Sequence, residues 1–202
     1  TGGAVTFDST VDSLTSARNL TIAAGDTGAS AGGTGLVTGG NVTFTGIEGG
    51  GAQRTGTLTI SSGNDVLFSA AATDNALSST SKTFTASTIT TTGLADAAGG
   101  NVTIANGTTT GAVSVSGTIN AQGGTAGAGN PGQAGGAVSI TGDTVSVAAI
   151  TTSGSNTNAT GNAPGGNAGT ITLHATNGTP TITLAGNLTA KGGNAAGAGN
   201  NA

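Results

Sequence analysis

Cysteine, methionine, tryptophan and tyrosine are all absent from this chain of 202 residues, proline occurs three times, and only 6% of the residues are charged. Each absence removes a class of explanation. Without cysteine there is no disulfide framework and no thiolate metal site, and with no methionine either, the chain carries nothing easily oxidised, as suits an exposed extracellular material. The four cations are Arg18, Arg54, Lys82 and Lys191. With so few, and no Tyr or Trp to stack on bases, nucleic acid is not expected as a partner. Apolar residues come in bursts of three or four separated by Thr, Ser and Gly, so neither a membrane span nor a signal-peptide core is read, and the chain looks like a mature segment.

What is abundant is glycine, 40 of 202 residues. Such a composition raises disorder first. Disordered chains, however, combine low hydrophobicity with high net charge, whereas this one is 34% hydrophobic, has a mean hydropathy of +0.10 and carries a net charge of −4. The apolar residues must therefore be buried somewhere.

A recurring phrase says where. Gly2-Gly-Ala-Val-Thr-Phe7 returns as Gly39-Gly-Asn-Val-Thr-Phe44, Gly99-Gly-Asn-Val-Thr-Ile104 and Gly135-Gly-Ala-Val-Ser-Ile140, with looser copies at Thr55–Ile60 and Ala168–Leu173. A unit of 33 to 37 residues fits most of these intervals, and the stretch 39–98 reads as an irregular longer coil or insertion. A second phrase follows, as in Val113-Ser-Val-Ser-Gly-Thr-Ile119, Val145-Ser-Val-Ala-Ala-Ile150 and Ile182-Thr-Leu-Ala-Gly-Asn-Leu188, with Phe84–Ile89 a fourth copy. Each unit ends in a loop of small residues, such as Gln122–Asn130, Gly154–Asn162 or Lys191–Asn200.

Apolar residues alternating with small polar ones mark strands with one buried face, so Val138 and Ile140 should point inward and Ser139 outward. No stretch holds an apolar period near 3.6, and Gly and Thr interrupt every candidate helix, so almost no helix is expected. A propeller blade needs four strands and aromatic landmarks. A sandwich needs no phrase repeated at constant phase. The pattern therefore predicts one all-β domain over 1–202, a parallel β-helix (β-solenoid) of about five to six coils, whose equivalent residues stack about 4.8 Å apart. Such a narrow tube should leave little room for large rings. Gly pairs are expected to supply unusual backbone angles at corners, and Ser and Thr to form outward ladders.

These phrases, with Ile150-Thr-Thr-Ser-Gly154 and the Gly-Asn-Ala loops, resemble the β-strand repeats of large secreted bacterial adhesins, the filamentous-haemagglutinin-like and autotransporter-passenger proteins. The resemblance implies a right-handed parallel β-helix, an extracellular or cell-surface location, and a role as stalk, adhesin or fibre. It brings no catalytic residues with it.

The residues themselves offer little chemistry. Parallel β-helices also serve as scaffolds for polysaccharide-cleaving enzymes, which gather acids in one groove. Here Asp8, Asp12, Asp26, Glu48, Asp65, Asp74, Asp96 and Asp143 are scattered singly and read as solvated turn residues, Asp143 as a corner. His174, the single histidine, has no second His or Cys with which to form a metal set. Calcium is the one cofactor candidate left open, but the repeated nonapeptide of calcium-binding β-helices is missing, and the Gly-rich loops hold too few carboxylates for a strong site. Gly123–Gly129 lacks the helix of a nucleotide loop. No catalytic, cofactor or metal residue is therefore nominated. Seven Asn-x-Thr sequons, at Asn19, Asn41, Asn101, Asn106, Asn158, Asn177 and Asn187, fit a chain rich in both residues; Asn41 and Asn101 share a phrase position and should stack in one ladder.

The chain opens on the first residues of a unit and stops in the loop that elsewhere precedes that phrase, so the repeat is cut in phase. This favours a non-catalytic subunit whose last coil receives the first coil of the next copy, giving a head-to-tail extracellular filament with lateral association between copies. The alternatives are a stalk or binding segment of a secreted adhesin, touching a glycan or cell surface, and, more remotely, a polysaccharide-active enzyme.

Overall fold

A computed structural model describes residues 3–11, 18–24, 40–46, 55–62, 65–81, 83–106, 111–159, 162–176 and 179–196. Asp12, Asp26, Glu48, Arg54, Lys82 and Asn177 lie outside them. Among the described residues there are fifteen strands and no helix. One parallel sheet stacks β1 (Val5–Phe7), β3 (Val42–Phe44), β5 (Asp65–Phe68), β7 (Thr83–Ala86), β10 (Ala112–Asn120), β12 (Thr144–Thr151) and β14 (Thr181–Leu184), in that order. A second stacks β2 (Leu20–Ala24), β4 (Thr55–Ser62), β6 (Ala72–Ser81), β9 (Val102–Asn106), β11 (Val138–Gly142) and β13 (Ile171–Ala175). The register shifts between Val115 and Thr118, so the downstream parts of β10 and β12 form a short third ladder with the start of β6, β8 (Ile89–Thr90) and β15 (Leu188–Thr189).

Alternation within each strand decides what is buried. In β11, Val138 and Ile140 are buried and Ser139 is half-exposed, as the sequence predicts. Register then turns equivalent residues into columns. Leu20, Leu58, Leu77, Val102, Val138 and Ile171 form one in the second sheet, and Ile89, Ile119, Ile150 and Leu188 another in the third ladder. The interior does admit large rings, contrary to the expectation from a narrow tube. All four phenylalanines make a continuous run of ring contacts, three of them in one file: Phe7 and Phe44 stack at 4.7 Å, Phe44 and Phe68 at 4.5 Å, and Phe68 meets Phe84 at 5.9 Å and 45°. Flat rings on consecutive parallel strands can stack because their separation matches the strand spacing. Phe84 sits opposite Val66, two positions from the file, while small Ala86 sits opposite Phe68. The ring thus changes position within the strand without increasing the volume of that layer.

The stretch 39–98, read from the sequence as an irregular longer coil or insertion, supplies β3 to β8. Partner spacing in the first sheet falls from 37 residues (Val5 to Val42) to 24 (Val42 to Val66) and 18 (Val66 to Phe84). Strands such as Asp65–Phe68 alternate correctly but lack the Gly-Gly phrase that marks the other units. Nor does that phrase keep one phase: Val42–Phe44 belongs to the first sheet, Val102–Ile104 and Val138–Ile140 to the second. Its requirement is a corner, and more than one corner meets it. Gly40 N donates to Ala24 O, Gly100 N to Thr91 O, Gly136 N to Ala121 O, and Gly169 N to Thr152 O.

Close approach, rather than unusual angles, explains these glycines. A β-carbon at Gly40, Gly136 or Gly169 would collide with the backbone carbonyl of Gly3, Gly100 or Gly136 on the adjoining corner. Gly129, with φ 85°, is the one glycine among the described residues in the left-handed region. Hydroxyls reinforce the corners: Thr91 and Thr152, both fully buried, donate to Gly100 O at 2.8 Å and Gly169 O at 2.9 Å, and Ser62 donates to Gly40 O at 2.8 Å.

β6 breaks the apolar pattern. Asp74 is fully buried on this strand, opposite Thr55, rather than solvated in a turn. Ser79 stands between Ile60 and Ile104 in an otherwise aliphatic column, and its buried Oγ has no hydrogen-bond partner. An unsatisfied buried hydroxyl costs about 1–3 kcal/mol. Ser79→Ala is therefore expected to raise stability by about 1 kcal/mol, read as an increased midpoint in urea at unchanged slope.

Candidate functional site

Between the third ladder and the second sheet the chain makes loops that stack on one another like the strands. Gly93 N donates to Gln122 O, Gly123 N to Ser153 O, and Gly154 N to Lys191 O, so the hydrogen-bonded ladder continues through residues outside any strand. Side chains tie successive loops together. Ser155 Oγ accepts from Gln133 N at 2.8 Å, Asn158 Nδ2 donates to Ala126 O at 3.2 Å, and Asn156 Oδ1 accepts from Asn194 N at 2.8 Å. The loops enclose an open groove of about 450 Å³ lined by Gln122, Thr125, Ser155, Asn156, Thr157 and Asn158 together with glycines and Ala126. Every polar side chain in that lining is neutral. The sequence signal was the recurrence of Asn, Gln and Thr in the unit-ending loops, which periodicity alone reads as spacer.

The scattered acids do not converge. Among the described residues no three His, Asp or Glu side chains come together in a way that would hold a metal. Asp8 and His174 are exposed, and His174 lies opposite Thr141 on the outer face of the second sheet. Asp65 Oδ1 accepts from Thr83 Oγ1 at 2.6 Å, tying two strands, and Asp143 turns the corner between β11 and β12.

Asp96 is held in a distinctive setting. It has φ 59°, a left-handed conformation that Asp and Asn tolerate. Its Oδ1 accepts from Gly127 N at 2.6 Å. That backbone bond first, and the Asn130 side chain second, hold its carboxyl below the usual carboxylate range, against a small opposing effect of desolvation. A depressed folded-state value means the stabilising contact is complete above the unfolded value and is lost as pH falls through the folded one. The Gly127 amide resonance is expected to titrate with a midpoint below that of an ordinary aspartate. Asp96→Asn, which keeps an acceptor and suits the backbone, should abolish that titration.

Asparagines repeat the same device. Asn19 Oδ1 accepts from Thr57 N at 2.9 Å, Asn101 Oδ1 from Ala137 N at 2.9 Å, and Asn41 Oδ1 from Asp65 N at 3.4 Å. Asn41 and Asn101 therefore do not stack on each other: they precede strands of different sheets, each accepting from the next strand of its own. Of the other sequons, Asn158 and Asn187 are exposed and Asn106 is half-buried. No helix among the described residues is long and apolar enough to cross a membrane. No family model, curated protein or solved structure matches the chain.

Proposed function

We propose that the chain is a right-handed parallel β-helix that serves as a non-catalytic structural subunit, stacking head-to-tail on copies of itself in an extracellular fibre. The supporting observation is the apolar face left open at one edge. Ile182, Leu184 and Leu188, which continue columns that are buried in every preceding strand from Phe84 or Ile89 onward, are 44%, 40% and 44% exposed. Ile171 and Leu173 of β13 are half-exposed beside them. The opposite edge presents Val5-Thr6-Phe7, also half-exposed inward, in a strand that already accepts Val42-Thr43-Phe44 in parallel register. An unpaired edge with an apolar inner face is a template for a further strand. The two edges have the alternation needed to cover each other, and neither contributes a charged residue to the inner columns. A strand of the same alternation would cover either edge, and a second copy supplies one.

Leu184→Asp tests the reading. Leu184 is already partly exposed, so the variant should fold, while its carboxylate would be buried unpaired at the joint. Sedimentation should show large assemblies for the wild-type chain and monomers for the variant. Equal sedimentation of the two would overturn it.

A further inference from the structure

We infer that the loop groove is a binding site for a neutral saccharide chain, independent of how the ends of the molecule assemble. Its lining divides into two sets. Ser155, Asn156, Thr157 and Asn158 are fixed by bonds to neighbouring loops: Thr157 Oγ1 donates to Asn130 O at 3.0 Å and accepts from Ala159 N at 3.1 Å, alongside the ties of Ser155, Asn156 and Asn158. These bonds leave Asn156 Nδ2 as a donor, Asn158 Oδ1 as an acceptor and the Ser155 hydroxyl proton unspent. Gln122 and Thr125 form the second set, whose side chains make no hydrogen bond to the described residues although both face the groove.

Unspent donors and acceptors of both kinds thus converge on one cleft with no charge in its lining. The volume of about 450 Å³ lies within the range of about 300–1,000 Å³ usual for small-ligand sites. Such sites are mostly apolar. A groove of amides and hydroxyls instead complements a ligand whose own surface alternates donors and acceptors and carries no charge, which is the chemistry of a neutral sugar. Because the loops are held by backbone ladders, little ordering is needed on binding. With no aromatic ring in its lining the site binds weakly.

The test uses the full chain and four neutral hexasaccharides (of cellulose, starch, mannan and chitin type), with a hexasaccharide of hyaluronan as the anionic probe, monitored by saturation-transfer NMR and titration at millimolar concentrations. At least one neutral probe should bind and outcompete the anionic one. Gln122→Ala with Thr125→Ala should weaken it about tenfold or more. Neither side chain supports the fold, so melting should be unchanged, and Ser139→Ala on the sheet face should leave binding intact. Failure of all neutral probes, preference for the anionic one, or binding unchanged in the double variant would each overturn the site. None of these outcomes bears on fibre formation, which Leu184→Asp tests separately.

Discussion

Phe44→Ala is expected to destabilise the chain by about 3–5 kcal/mol, the range for truncating a buried aromatic residue in a packed core. Phe44 is 1% exposed and has a ring on each side, Phe7 at 4.7 Å and Phe68 at 4.5 Å. The void cannot close by collapse, because the strands above and below are held at fixed spacing by their backbone hydrogen bonds in register. The loss should therefore fall toward the upper end of the range and exceed that of Phe7→Ala, whose ring is only half-buried. Urea unfolding checks both. A cost below about 1 kcal/mol for Phe44→Ala, well under the usual truncation range, would mean that the stacked file does not exist in solution.

A methyl group added at Gly136 should be comparably damaging for the opposite reason. Its β-carbon would meet the carbonyl of Gly100, a backbone atom that cannot rotate away, and both residues are held by bonds of 2.7 Å to Thr91 O and Ala121 O. Overpacking commonly costs about 1–3 kcal/mol, and this site, lacking any flexible partner, should reach about 3 kcal/mol or more. Gly192→Ala is the control. The nearest atom to its added carbon is Gly166 O at 3.7 Å, an ordinary contact, so the change should lie within about 0.5 kcal/mol of neutral. Equal melting temperatures for the two variants would contradict the role given to corner glycines.

These two sites also show where the sequence could be read and where it could not. Val138, Ile140, Val145, Val147 and Ile150 announce strands and inward faces because a period of two appears within each strand. Which strand lies beside which is not a local property. The Gly-Gly phrase looked like a marker of phase, but it marks close backbone approach at corners, and the fold has more than one kind. The run of phenylalanine contacts was hidden because Phe84 stands at a different position in its strand from Phe7, Phe44 and Phe68. β6 was hidden because Asp74, Ser79 and Ser81 occupy buried positions that usually carry apolar residues, so its ten residues did not alternate visibly. The loop groove was the least legible feature. It depends on loops lying one above another, and its residues carry no motif beyond being neutral and polar.

Self-stacking is the central claim, and electron microscopy of purified chain with fibre diffraction on aligned material tests it most directly. Thin unbranched filaments of uniform width, giving a reflection near 4.8 Å along the filament axis, are the predicted result. Monodisperse short particles at high concentration would contradict the claim.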